Sequence, residues 1–123
     1  MDSFHRQPYR LTLRDPAIVA NALPDRSDAY RALDTAVLEA LILGGALGMS
    51  EADIAARRGI AYAKSTAEAL EAVESGRADA GFFMRATPIE QVRAVAAAGE
   101  SMPPKSTFFY PKVPTGLVFS PLE

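Results

Sequence analysis

The chain has 123 residues, a formal net charge of -2 and no cysteine, with 49% hydrophobic and 23% charged residues. This length and composition suit one domain with one core and argue against disorder along the whole chain. The absence of cysteine excludes disulfides, thiolate catalysis and cysteine metal sites, and the weakly acidic balance argues against a nucleic-acid-binding face. No apolar run approaches the roughly 18 residues of a membrane-spanning helix, and the polar N-terminus does not resemble a signal peptide. We therefore expect a cytoplasmic protein with no membrane or nucleic-acid partner.

The first half of the chain predicts two strands and two helices. Apolar and polar residues alternate over residues 9–14, which is typical of a half-buried strand. Residues 28–43 carry apolar side chains at helical spacing, and Gly44-Gly45 is expected to end that helix. A serine able to cap a helix opens residues 50–57, and a short strand is predicted at 59–63.

Two capping boxes organise the second half. The segment Ser65–Glu68 has a hydroxyl that can accept from a first-turn amide and a glutamate that can reach back, and Gly76 suits the left-handed residue after the helix. The segment Thr87–Glu90 repeats this pattern, with a proline in the first turn, and Gly99 ends the second helix. Between the two helices, residues 78–84 read as a buried strand.

Strand and helix alternate from residue 59 to residue 99, which predicts a right-handed crossover and a parallel strand pair. Extended segments at 108–112 and 116–119 add to a small mixed sheet, the first at an edge because it contains a proline. The predicted fold class is therefore α/β, with a βαβ core, helices packed on the sheet and one domain over residues 1–123.

The segment Glu100–Gly116 carries the strongest functional signal. Two prolines precede Lys105, Ser106 and Thr107, and an aromatic run follows with Tyr110 and Lys112 at strand spacing. One cation and two hydroxyls on a rigid loop suit an anion such as phosphate, which Lys112 would also face, although the glycines of a phosphate-binding loop are missing. The alternative is a structural loop whose hydroxyls cap local backbone groups, with Lys112 packed along Tyr110.

Asp34 is the second candidate site residue. It lies in a largely apolar helical row, where burial would raise the pKa of its carboxyl group unless a cation pairs with it. The alternative is an ion pair with an arginine such as Arg31. The single histidine, His5, lies near the terminus and is not expected to be catalytic, and the acidic residues show no metal-ligand spacing. The sequence identifies no cofactor.

The loop also carries a family resemblance. The sequence Met-Pro-Pro-Lys-Ser-Thr-Phe-Phe-Tyr-Pro-Lys at 102–112, followed by Thr-Gly-Leu-Val at 115–118, resembles the C-terminal signature of the bacterial and archaeal domain-of-unknown-function family numbered 1015. The resemblance covers about residues 28–119. Shorter matching stretches occur in the same order at 33–34, 37–38, 60–62, 82–84 and 87–88.

The resemblance implies an incomplete part of a larger fold. Family members are longer, and their preceding region carries a signature similar to Asp-Gly-His-His-Arg-Tyr that this sequence lacks. Some members are similar to the ParB and sulfiredoxin group, in which related motifs bind nucleotide phosphates. The family itself has no settled activity that the resemblance could transfer to this chain.

Three functions follow as expectations. The first is a C-terminal binding module that contributes a contact loop for a phosphate, nucleotide or small anion, with no turnover by this chain alone. Its partner would be a missing N-terminal domain or the product of a split gene. The second is a structural interface module with no ligand, in which the aromatic residues matter more than Lys105. The third is a phosphotransferase-like enzyme. Self-association is also expected, since a truncated unit exposes apolar surface.

Overall fold

The computed structural model describes residues 1–107, and every element in that range is helical. The predicted α/β class is wrong for this part of the chain, because no β-strand forms in it and its β pairing is limited to an isolated antiparallel bridge between Asp2 and Ala80. The predicted strands at 108–112 and 116–119, with Tyr110 and Lys112, lie outside the described residues. The elements in order are α1 (Pro16–Ala22), α2 (Asp28–Arg31), α3 (Asp34–Val37), a π-helical segment (Leu38–Ala46), α4 (Glu51–Ala55), α5 (Thr66–Glu74) and α6 (Ile89–Ala97).

The predicted strands fail because nothing in the described chain buries their apolar faces. Tyr9 and Leu11 are 54% and 66% exposed, although alternation was expected to turn them inward. The Phe82-Phe83-Met84 segment, expected to be a buried strand, is likewise exposed. A β-branched or aromatic pattern favours a strand only where a neighbouring strand or helix covers it. Residues 59–63 and 79–84 form no strands within the described chain, so the parallel pair predicted between them is absent there.

The long helix predicted over residues 28–43 is broken at Leu33. This residue has extended backbone angles, φ -74° and ψ 129°, between α2 and α3. Its side chain is only 1% exposed, so tertiary burial overrides the local helical pattern. The glycine pair Gly44-Gly45 also fails to end the helix, which continues to Ala46 with wide turns such as the hydrogen bond from Leu47 N to Ile42 O (2.8 Å).

The predicted caps at Ser50 and Ser65 and the predicted helix ends at Gly76 and Gly99 are confirmed. Ser50 and Asp53 form a reciprocal capping box at the start of α4. The Ser65 hydroxyl accepts from the amide of Glu68 at the start of α5. Gly76 and Gly99 both follow their helices with φ 74°. These outcomes depend on a few neighbouring residues and do not need a tertiary partner.

A small core brings together α2, α3 and α6. Leu33, Ala36 and Val95 are buried in one cluster, and Leu23, Ala29, Tyr30 and Met102 pack against it. Val95 of α6 is buried in this core, whereas Ile89 of the same helix is exposed. Met102 lies three residues before Lys105, so its contact ties the start of the Lys105 loop to the core. Within residues 1–107, no helix is both long and apolar enough to cross a membrane.

Candidate functional site

Lys105 occupies a position in a tight turn that glycine would normally take. The amide of Ser106 donates to the carbonyl of Pro103 at 3.3 Å, which closes a four-residue turn with Pro104 in the second position and Lys105 in the third. Lys105 has φ 62°. A turn with proline second and positive φ third is of type II, and its third residue is usually glycine or asparagine. The chain therefore places a cation where the backbone favours a residue without a β-carbon.

Arg57 occupies a similar position at the end of α4. The amide of Arg57 donates to Ile54 O at 3.0 Å, and the amide of Arg58 donates to Asp53 O at 2.8 Å. These two bonds form a Schellman motif, whose left-handed residue is commonly glycine. Here that residue is Arg57, with φ 55°. Two basic residues thus adopt a conformation that costs an L-residue about 1–2 kcal/mol.

Both residues line the same cavity. It has a volume of about 800 Å³, within the range of small-molecule sites, and we call it the cleft. Its walls come from the connector after α1, the π-helical segment, α4 and the 103–106 turn. The charged and aromatic residues that line it include Arg26, Tyr30, Glu39, Arg57, Tyr62 and Lys105.

Arg26 is the third cation of the cleft, and its position is fixed from two sides. Its guanidinium lies over the ring of Tyr30 at 4.5 Å from the centroid. Its Nη1 lies 3.5 Å from Oε1 of Glu100. The other oxygen of Glu100 accepts from the amide of Ser27 at 3.1 Å and from the Ser27 hydroxyl. Arg26 is therefore held at the cleft wall by stacking and by charge.

Two pKa shifts describe the electrostatics around Arg26. The Ser27 hydroxyl holds the pKa of the Glu100 carboxyl below its usual range, and the Ser27 amide and Arg26 act in the same direction. Burial raises the pKa of the Tyr30 hydroxyl, with Arg26 opposing this shift and Glu39 and Glu100 adding to it. At neutral pH, Glu100 is a carboxylate and Tyr30 is a neutral phenol that can donate a hydrogen bond.

Carboxylates also line the cleft. Asp25, Glu39 and Glu51 line the same cavity as the three cations, so the described lining is balanced in formal charge. Such a lining does not attract anions by net charge. It can hold an anion locally at Arg57 and Lys105 while the carboxylates accept hydrogen bonds from donor groups elsewhere on the same ligand.

The other predicted loop residues are placed differently from Lys105. The Ser106 hydroxyl donates to Pro103 O at 2.6 Å, which is the local backbone contact expected of a structural loop residue. Ser106 and Thr107 are half-buried and are not among the described residues that line the cleft. Tyr110 and Lys112 lie outside the described residues. Of the loop residues predicted to contact an anion, the described structure brings Lys105 to the cleft.

Asp34 lies apart from the cleft lining and is paired. Arg85 donates to it from Nε at 3.1 Å and from Nη2 at 3.0 Å. The expected alternative, an ion pair with an arginine, is therefore present, but the arginine is Arg85. Arg31 instead pairs with Asp28 at 3.0 Å. The Asp34–Arg85 pair is exposed, with 47% of the Asp34 side chain and 86% of the Arg85 side chain open to solvent, so it contributes little to stability.

Sequence reasoning missed Arg26, Arg57 and Tyr62. Arg57 had a usable signal, because it follows a capped five-residue helix at the position where glycine follows the two longer helices. Arg26 and Tyr62 had none, since their approach to Lys105 depends on how distant segments pack. In residues 1–107, no group of three or more His, Asp or Glu side chains is arranged to hold a metal ion.

Comparison with known proteins leaves the family open. No protein-family model matches the chain, and no curated protein or solved structure is detectably similar to it. The resemblance to the family numbered 1015 therefore stays a prediction that rests on the quoted residues.

Proposed function

We propose that this chain is a cytoplasmic binding module that holds a small phosphate-bearing molecule, of up to nucleotide size, in the cleft. The single observation that carries the proposal is the placement of Arg57 and Lys105. Both are cations in left-handed backbone positions suited to glycine, and both line one cavity. Backbone strain of this kind concentrates at ligand-binding sites, where a side chain is needed in spite of its conformational cost.

The magnitudes favour this proposal. A left-handed conformation costs each residue about 1–2 kcal/mol. A hydrogen bond from a charged donor contributes about 1.5–3 kcal/mol, which offsets that cost when an anion is bound. Among residues 1–107, neither Arg57 nor Lys105 makes a side-chain ion pair that could offset this cost.

The aromatic side chains favour a ligand with a ring. Tyr62 lines the cleft and is 54% exposed, and Tyr30 and Glu39 line the same cavity. Stacking of a planar ring on such a side chain contributes about 1–3 kcal/mol per base in nucleic-acid-binding proteins. A nucleotide would combine ring, hydroxyl donors and phosphate, and the cavity of about 800 Å³ accommodates one. We propose binding without turnover by this chain alone, and the candidate acid Asp34 is paired with Arg85 outside the cleft lining.

The test is a calorimetric titration of pyrophosphate and ADP into the wild-type chain at low ionic strength. Lys105→Ala and Arg57→Ala should each weaken binding about tenfold or more, as expected for the loss of one charged hydrogen bond. Arg6→Ala is the matched control, because Arg6 also has positive φ, 55°, but does not line the cleft. Equal affinity of wild type and both cleft variants would exclude the proposed site.

An interface module is the second candidate, and the exposed apolar side chains of Phe82, Phe83 and Met84 favour it. These residues line a shallow depression with the start of α5, and that lining shares no residue with the lining of the cleft. Analytical ultracentrifugation over a wide concentration range distinguishes the two functions. Self-association that Phe83→Ser abolishes, together with no binding of pyrophosphate or ADP, would support the interface alone.

A further inference from the structure

Helix α6 begins without the cap that its sequence predicts. Its N-terminal flanking residue is Pro88, and no side chain of residues 1–107 caps its first-turn amides. The Thr87 hydroxyl, expected to supply that cap, instead donates to the carbonyl of Ser106 at 3.0 Å. The predicted capping role of Thr87 is therefore wrong, and its hydroxyl serves a contact 19 residues away in sequence.

Helix α5 shows what the same motif does when it acts locally. There the Ser65 hydroxyl accepts from the amide of Glu68 at 3.2 Å, and the Glu68 carboxylate accepts from the amide of Lys64 at 2.7 Å. A cap of this kind contributes about 1 kcal/mol to helix stability. Helix α6 lacks this stabilisation, because the Thr87 hydroxyl bonds to Ser106 and does not cap the helix. The bond to Ser106 must therefore have a role other than helix capping.

Contacts on both sides of Lys105 along the chain hold its turn in place, and the hydrogen bond from Thr87 is the contact on the C-terminal side. On the first side, Met102 packs on the core and Pro103 is buried. The carbonyl of Pro103 accepts from both the amide and the hydroxyl of Ser106. On the second side, Thr87 holds the carbonyl of Ser106, the residue directly after Lys105. A non-glycine residue stays in a left-handed conformation only where such surrounding contacts enforce it.

We propose that Thr87 is a positioning residue for ligand binding: its hydroxyl fixes the turn in the conformation that presents Lys105 to the cleft. This inference rests on the proposed function. Thr87 does not line the cleft, so it acts through Lys105 and not by touching the ligand. When the Thr87 hydroxyl is removed, Lys105 can relax to negative φ. Ligand binding must then restore the turn, which lowers the net binding free energy.

Thr87→Val removes the hydroxyl and keeps the shape of the side chain. We expect its affinity for pyrophosphate to fall roughly two- to tenfold, the equivalent of one neutral hydrogen bond, and Thr87→Ser to restore it. Ser65→Ala is the matched control, since it removes a true cap and should lower the unfolding midpoint without changing affinity. Amide chemical shifts of Lys105 and Ser106, measured without ligand, should move in Thr87→Val and return in Thr87→Ser.

The outcomes separate the two proposals. If wild type binds pyrophosphate and Thr87→Val binds it equally well with unchanged Lys105 and Ser106 shifts, the positioning role is wrong and the binding site stands. If wild type binds neither pyrophosphate nor ADP, the proposed function is wrong, and with it any role of Thr87 in binding. Loss of affinity in Thr87→Val without rescue by Thr87→Ser would also contradict the positioning role.

Discussion

Helices α4 and α6 end with the same pair of backbone hydrogen bonds but place different residues in the left-handed position. In α6, the amide of Gly99 donates to Ala96 O at 3.0 Å and the amide of Glu100 donates to Val95 O at 3.1 Å. In α4, the equivalent bonds are made by Arg57 and Arg58. Gly99 adopts φ 74° at little cost, whereas Arg57 adopts φ 55° against its steric preference.

The difference follows the position of each end in the molecule. The residue Arg57 lines the cleft, and Gly99 does not. Lys105 repeats the pattern in a turn, so two separate backbone motifs substitute a cation for glycine around one cavity. This pattern motivates the proposal that the cleft keeps positive charge at a local cost in stability, and Arg6, which has φ 55° away from the cleft lining, provides the comparison for testing it. Natural proteins commonly accept such a cost at functional sites.

Changing both cleft residues to glycine should give the largest effect. For Arg57→Gly with Lys105→Gly, we expect pyrophosphate affinity to fall at least about 100-fold, because two charged hydrogen bonds are lost. The free energy of unfolding should rise by about 2 kcal/mol, because both left-handed positions are relieved of strain. Calorimetry and urea denaturation measure the two quantities. A less stable double variant would show that Arg57 and Lys105 are not strained.

The converse change, at a helix end away from the cleft, should affect stability alone. Gly76 follows α5 with φ 74°, and a β-carbon there would meet nothing within 4 Å. Gly76→Ala should therefore lower the free energy of unfolding by about 1 kcal/mol through the backbone only, with pyrophosphate affinity unchanged. Urea denaturation tests the first statement and calorimetry the second. A change in affinity would show that helix ends act on the cleft generally.

Acid should weaken the contact that Glu100, just after α6, makes with Ser27 and Arg26. The folded-state pKa of Glu100 is lowered, so the unfolded chain binds the proton more readily. The stabilisation from Glu100 is complete above its unfolded pKa of about 4.5 and is lost as pH falls through the lower folded value. Glu100→Gln should therefore reduce the acid-range slope of unfolding free energy against pH, leaving the slopes due to Asp2 and Asp53, whose pKa values are also lowered. An unchanged slope would contradict the Ser27–Glu100 contact.

The parts of the fold that the sequence predicts are those decided by neighbouring residues. The caps at Ser50 and Ser65 and the helix ends at Gly76 and Gly99 need only a few adjacent groups. The strands predicted in the described part of the chain required a partner to bury their apolar face, and none forms there. At Leu33 a non-local core contact overrode a regular helical pattern.

The candidate site was predictable only where local sequence decides it. Lys105 stands out within its own loop, because two prolines and two hydroxyl residues flank it. Arg57 lies 48 residues earlier and meets the same cavity only through packing. Thr87 matches a helix-capping pattern so well that its bond to Ser106 could not be read from the sequence.

Unfolding of wild type and Arg57→Gly, each measured with and without saturating pyrophosphate, tests the central claim most directly. Without ligand, Arg57→Gly should be the more stable protein by about 1 kcal/mol. With pyrophosphate, the free energy of unfolding should rise more for wild type than for Arg57→Gly, because a ligand stabilises more strongly the protein that binds it more tightly. The stability advantage of the variant should therefore shrink or reverse. Equal stabilisation of both proteins by pyrophosphate would contradict the claim that Arg57 is kept strained to bind an anion.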